Sequence, residues 1–211
     1  MKKNYTCYKI TMPGFAGVPA CNDPSFILFE KLIVDFIHEN KIDKPILVGH
    51  SLGGSLSMAL AGDFPKLFSK IVVVDTLPFL LVLNTPLEAP DTLNCDKEVA
   101  EVLDITDEQF YRMQKQAAWR FTVDTLNQKN IIHWAVQSDR KTFAKLYCDL
   151  TNTDLRKRIS GIECPSLILL QPNFSDRQQA VTDQFQNLAE KKIEYASRDY
   201  ILLCMMIING L

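Results

Sequence analysis

Apolar and polar positions in the first third of the chain switch repeatedly between strand and helix periods. Residues 5–11 read as a short strand, and Met12-Pro13-Gly14-Phe15-Ala16-Gly17-Val18-Pro19 as the turn-rich loop that leaves it. Phe26, Phe29, Ile33, Phe36 and Ile37 then recur at helical spacing up to Asn40, and Ser25 is placed to cap that helix. An apolar strand, Lys44-Pro45-Ile46-Leu47-Val48, runs into Gly49-His50-Ser51-Leu52-Gly53-Gly54, after which Leu56, Met58, Ala59 and Leu60 suit a second helix. Ile71-Val72-Val73-Val74-Asp75 is the next strand. Such alternation predicts an α/β chain with a mostly parallel sheet flanked by helices, whose strands deliver active residues at their C-terminal ends.

Residues 76–160 contain no strand-like run, and the pattern there predicts an inserted helical cap. Pro78, Pro86 and Pro90 break up its entry, and Thr106 can cap a helix containing Phe110, Met113, Ala117 and Phe121. Further helices are expected near residues 131–136 and 138–150. Met113, Trp119 and Trp134 have the chemistry to line a pocket, but Met and aromatic residues at helical spacing are read here as core. The run Arg156-Lys157-Arg158 is read as a solvated helix end. Pro165-Ser166-Leu167-Ile168-Leu169-Leu170 resumes the sheet, followed by a helix over residues 181–189 and a last strand over 192–197. The core therefore comprises residues 1–75 and 161–211, and the cap 76–160.

Composition narrows the partners. With 211 residues, 47% of them hydrophobic, the chain can bury a substantial core. A net charge of −2 implies no broad basic surface, so nucleic acid is not an expected partner. Six cysteines, at 7, 21, 95, 148, 164 and 204, form no CxxC pair and no metal-ligand spacing. They read as mostly reduced or buried thiols, favouring a reducing compartment. Met1-Lys2-Lys3-Asn4-Tyr5 lacks the apolar stretch of a signal peptide.

The Gly49-His50-Ser51-Leu52-Gly53 segment carries the candidate chemistry. Between a strand and a helix, Gly-x-Ser-x-Gly makes a nucleophile elbow: the serine occupies a sharp, strained turn with its hydroxyl exposed, and the glycines permit close strand–helix crossing. The backbone N–H of Leu52, at the helix start, can face a developing oxyanion.

With this elbow, the Met-Pro-Gly-Phe-Ala-Gly loop, the Ile71-Val-Val-Val-Asp-Thr-Leu-Pro-Phe79 segment and the helical insertion, nearly the whole chain resembles the α/β-hydrolase superfamily, in its esterase- and lipase-like branch with a helical lid. The resemblance implies a small-molecule acyl substrate, a serine nucleophile, a histidine base, an acidic residue to orient it, an oxyanion hole, and no metal or organic cofactor. The nucleophile maps to Ser51 and one oxyanion donor to Leu52. For the acid, Asp176 follows the strand ending near Leu170 and Asp75 ends the preceding strand; both positions remain open, and Asp75 also suits a loop-capping role. The resemblance also places a strand and an oxyanion loop ahead of the 5–11 strand, so the sequence reads as N-terminally truncated, with an exposed sheet edge.

The resemblance expects the base near residues 197–200, where the chain has Arg198-Asp199-Tyr200. Its three histidines lie elsewhere. His38 reads as a helix-surface residue, His50 as structural or oxyanion-supporting, and His133 as a cap residue that could serve as base only within hydrogen-bond reach of Ser51. The tail Tyr-Ile-Leu-Leu-Cys-Met-Met-Ile-Ile-Asn-Gly-Leu is too apolar for a surface-lying closing helix and too short to span a membrane, which needs roughly 20 apolar residues. Met205 and Met206 are each ATG, so an offset frame over them reads Asp-Asp, and the same frame permits His-Phe-Ile-Met-Tyr-Asp-Asp-x-Gln-Trp. That motif is similar to an ending of this branch and gives the hypothesis of a frameshift near residues 197–200; source DNA without the motif in the offset frame refutes it. Two function classes follow: a serine hydrolase acting on a carboxylic ester or related acyl bond, and a noncatalytic chain that keeps the hydrolase pocket but lacks the histidine.

Overall fold

The computed structural model describes residues 5–81, 92–196 and 206–210. Among the described residues, six strands form one sheet in the order β1-β6-β2-β3-β4-β5. They are β1 (Tyr5–Lys9), β2 (Ile46–His50), β3 (Lys70–Val74), β4 (Ser166–Leu170), β5 (Lys191–Tyr195) and β6 (Met206–Gly210). From β2 to β5 every pairing is parallel, as the alternating pattern predicts. The C-terminal ends of these four strands therefore share one side of the sheet.

Pairing at the β1 edge goes beyond anything the sequence pattern indicated. β1 is mostly exposed, as an edge strand is, but it does not sit beside β2. β6 lies between them, antiparallel to both, with Cys7 opposite Ile208 and Leu47 opposite Ile207. An apolar tail thereby satisfies backbone groups on two strands at once, which periodicity could not reveal because pairing is a long-range choice. Residues 197–205, where the frameshift reading falls, lie outside the described residues, as do Pro86 and Pro90.

Helices α1 (Phe26–Glu39) and α2 (Leu52–Asp63) follow the expected pattern. Ser25 caps α1 by accepting from the Leu28 N–H at 3.2 Å. α2 packs against β2 and β3 and is buried on nearly every side from Gly54 to Ala61, so it shows no polar face; the hydroxyls of its two buried serines, Ser55 and Ser57, are satisfied by Thr76 and the Gly53 carbonyl. Phe29, Ile33, Ile37, Leu47, Leu56, Met58, Leu60 and Ile71 make the fully buried centre of the core.

Between β3 and β4 lie α3 (Cys95–Asp104), α4 (Asp107–Phe121), α5 (Thr125–Val136) and α6 (Arg140–Asn152), with no strand among the described residues. Thr106 caps α4 in a reciprocal box with Gln109. α6 joins the core: Leu146 and Leu150 pack into it, and Asp149 accepts from the Phe26 N–H at the start of α1. Its N-terminus receives the glycine loop, where the Gly14 carbonyl accepts from the Asp139 N–H at 2.7 Å and the Ala16 N–H donates to Ser138 Oγ. Gly14 has φ +84°, and a Cβ there would meet Thr142 Oγ1 at 2.6 Å, so both conformation and space call for glycine.

Three side-chain expectations need correction. Trp119 and Trp134 are exposed, by 62% and 43%, so neither is core, while Met113 is half-buried. The Arg156-Lys157-Arg158 run is not a solvated helix end. Arg156 pairs with Asp154 and stacks over the Phe79 ring, and Arg158 bridges Glu30 of α1 and Asp63 of α2; Lys157 alone is exposed. Cys95 and Cys148 form a disulfide rather than free thiols, joining residues that spacing had not paired; Cys7, Cys21 and Cys164 are free. The helix α7 (Gln178–Gln184) begins three residues ahead of the expected 181 and stops short of 189. No helix among the described residues is long and apolar enough to cross a membrane.

Candidate active site

Ser51 stands at the junction of β2 and α2 with φ +49° and ψ −116°, a conformation that non-glycine residues avoid and that costs on the order of 1–3 kcal/mol unless its surroundings enforce it. Its surroundings do. The Ser51 N–H donates to the Val74 carbonyl at 2.9 Å and its own carbonyl accepts from Ser55 in the first turn of α2. A Cβ on Gly49 would lie 2.6 Å from Gly54 N and closer still to the Gly53 carbonyl. Only hydrogen at Gly49 allows the helix to start this close to the strand. Gly54 is the second tight position, where a Cβ would meet Thr76 Cγ2 at 2.8 Å. Ser55 and Thr76 share a buried hydrogen bond of 3.0 Å directly behind the turn.

The Ser51 side chain is partly exposed and makes no hydrogen bond to any described residue, leaving its hydroxyl free for an incoming group. Leu52 is the first residue of α2, so its N–H is among those with no intrahelical acceptor and lies at the positive end of the helix dipole.

Asp75 follows the neighbouring strand, at the level of Ser51. Its backbone is left-handed, φ +55°, held by an N–H donated to the Leu169 carbonyl at 2.8 Å. Gln171, one residue beyond β4, donates its Nε2 to Asp75 Oδ2 at 2.5 Å. The same oxygen lies 3.9 Å from His50 Nε2, and the His50 ring meets Phe121 of α4 edge-on at 5.4 Å. Three adjacent strand ends thus place Ser51, Asp75 and Gln171 together, and His50 turns toward Asp75 and Phe121 rather than into the core.

Asp176 comes five residues after Gln171. It is exposed on a short 3-10 turn, Pro172–Arg177, with no polar partner among the described residues. His38 is exposed in the last turn of α1, as expected, and His133 is exposed in the last turn of α5. No hydrogen bond joins Ser51 to His38, His50 or His133. Sequence reasoning missed Gln171 and Phe121, since a lone glutamine after a strand and an aromatic ending a helix carry no local signal of a shared site.

The family described as alpha/beta hydrolase fold matches residues 3–104 of the chain. An uncharacterized hydrolase of Bacillus subtilis strain 168, YugF, is 36% identical over 50 residues, which is 24% of this chain and 18% of that protein. The match therefore covers less than a fifth of that relative's length. Among solved structures, the esterase EaEST from Exiguobacterium antarcticum superposes with a TM-score of 0.69 at 17% identity, over 89% of this chain and 71% of the esterase. The enol-lactonase from Burkholderia xenovorans LB400 gives a TM-score of 0.69 at 15% identity, over 89% and 70%.

Proposed function

This chain has the α/β-hydrolase fold, and from that premise we propose that it is a serine hydrolase acting on a carboxylic ester or related acyl bond through an acyl-enzyme on Ser51. The observation that carries the reading is the strained, glycine-enforced turn that presents the Ser51 hydroxyl beside the unbonded N–H of Leu52. In this mechanism Ser51 Oγ attacks the carbonyl carbon and loses its proton to a base. The Leu52 N–H donates to the resulting oxyanion, the leaving group departs with a proton, and water hydrolyses the acyl-enzyme. The helical segment between β3 and β4 acts as the lid, with Phe121 reaching the site edge beside His50.

Of the two candidate acids, Asp75 has the better support. Gln171 anchors its carboxylate at the strand ends next to Ser51, while Asp176 is exposed and has no polar partner among the described residues. The base requires an imidazole, and the position the resemblance assigns to it lies at residues 197–200, outside the described residues.

The absence of any hydrogen bond between Ser51 and the three histidines supports a second reading, a noncatalytic chain that retains the hydrolase pocket. A fluorophosphonate probe separates the two. Labelling of the folded chain that disappears in Ser51→Ala supports the hydrolase; no labelling of a chain shown to be folded by circular dichroism supports the noncatalytic reading. Loss of labelling in His133→Ala assigns the base to the lid, and retained labelling there excludes it.

A further inference from the structure

We propose that Cys95 and Cys148 form a thiol–disulfide exchange site that latches α3 to α6 and releases it on reduction by a dithiol, independently of the chemistry at Ser51. α3 is the element that needs such a hold. None of its residues is buried, and Leu103 is half exposed, so little apolar burial binds it to the rest of the chain. It packs along α6 through partly buried residues, and polar contacts hold the chain just beyond its two ends. At the C-terminal end, Arg140 of α6 donates to the Ile105 carbonyl at 2.7 Å and to Asp107 at 2.5 Å. At the N-terminal end, Asn152 of α6 clamps Leu93, accepting from its N–H at 2.8 Å and donating to its carbonyl at 2.9 Å. The disulfide joins the first residue of α3 to α6 between these contacts and closes a segment of 53 residues.

The surroundings of the two sulfurs suit exchange. Cys95 is partly exposed while Cys148 is fully buried, so an incoming thiolate has access to Cys95 Sγ. Attack there forms a mixed disulfide on Cys95, breaks the Cys95–Cys148 bond, and expels Cys148 as a thiolate. Asn152 Nδ2 lies 3.5 Å from both sulfurs and can donate to that leaving thiolate. The second thiol of the dithiol then displaces Cys95. Two protons and two electrons pass to the cysteines, and the dithiol leaves as its own disulfide. Buried Cys148 stays with α6, whereas α3 keeps its packing along α6, made by α3 residues none of which is fully buried, and the polar contacts at its two ends.

The test is hydrogen–deuterium exchange of the full chain before and after dithiothreitol, with alkylation and mass mapping of Cys95 and Cys148. Reduction is expected to speed exchange across residues 95–104 by at least about tenfold while β2 and β3 are unchanged, and oxidised glutathione is expected to restore the bond and the protection. Equal exchange of α3 in the two states overturns the proposal. So does a parallel rise in β2 and β3, which would make the disulfide a staple for the whole fold, and so does alkylation of both cysteines after incubation with oxidised glutathione.

Discussion

A methyl group at Gly49 tests whether steric contact at the strand–helix junction sets the elbow. In Gly49→Ala the new Cβ lies 2.6 Å from Gly54 N and nearer to the Gly53 carbonyl, all of it backbone. Ordinary contact begins near 3.4 Å and the Gly53 carbonyl oxygen would be at 2.1 Å, so α2 must retreat from β2 by more than an ångström. Overpacking typically costs about 1–3 kcal/mol, and the upper end applies because no side chain can rotate aside. A strand position recovers nothing from helix propensity. Gly54→Ala is the control. There the nearest atom is Thr76 Cγ2 at 2.8 Å, a side chain, and the nearest backbone atom, the Gly49 carbonyl oxygen, is at 3.0 Å rather than 2.1 Å; the substitution also sits inside α2, where alanine gains about 1 kcal/mol over glycine. The two effects nearly offset at Gly54 and do not at Gly49. Urea unfolding followed by far-ultraviolet circular dichroism should show Gly49→Ala destabilised by about 3 kcal/mol, a midpoint shift of roughly 1–1.5 M, and Gly54→Ala by no more than about 1 kcal/mol. Equal effects, or a loss below about 1 kcal/mol at Gly49, would refute the steric argument.

Three further perturbations follow from other parts of the molecule. Arg158 binds Glu30, whose Oε1 is 2.9 Å from Nη1 yet makes no hydrogen bond, as well as the more exposed Asp63. Burial works against the Arg158 charge, but bonds to Glu30 and Asp63 outweigh it and raise the guanidinium pKa. Arg158→Met strands a carboxylate only 9% exposed and should cost about 2–3 kcal/mol in urea, below the full buried-pair range because Arg158 is itself partly solvated; pairing it with Glu30→Gln should recover part of the loss, and additive losses would count against the coupling. Burial raises the Cys164 thiol pKa, so iodoacetamide at pH 8 should modify exposed Cys7 first and Cys164 only on unfolding; equal rates would contradict the burial. The Arg156 side chain holds the Asp154 carboxyl below its ordinary value, so this group stabilises the fold above about pH 4 and loses that effect as pH falls through its lowered folded pKa. Its solvent exposure limits the effect to under about 1 kcal/mol, and Asp154→Asn should narrow the stability difference between pH 7 and pH 3 by no more than that.

What the sequence determined by itself is local. The Gly49-His50-Ser51-Leu52-Gly53 turn, the four parallel strands, and the Ser25 and Thr106 caps were all legible, because periodicity, capping chemistry and close backbone approach act within a few residues. Tertiary structure alone decided which distant surfaces meet. It set β6 between β1 and β2, paired Cys95 with Cys148 across 53 residues, drew Arg158 to Glu30 and Asp63, and left Trp119 and Trp134 exposed. It also brought Gln171 to Asp75, a contact made only when β3 and β4 pair and invisible in sequence position. A side chain's identity fixes which bonds it can make, but the partner that makes them is supplied by the packing of elements far apart in the chain.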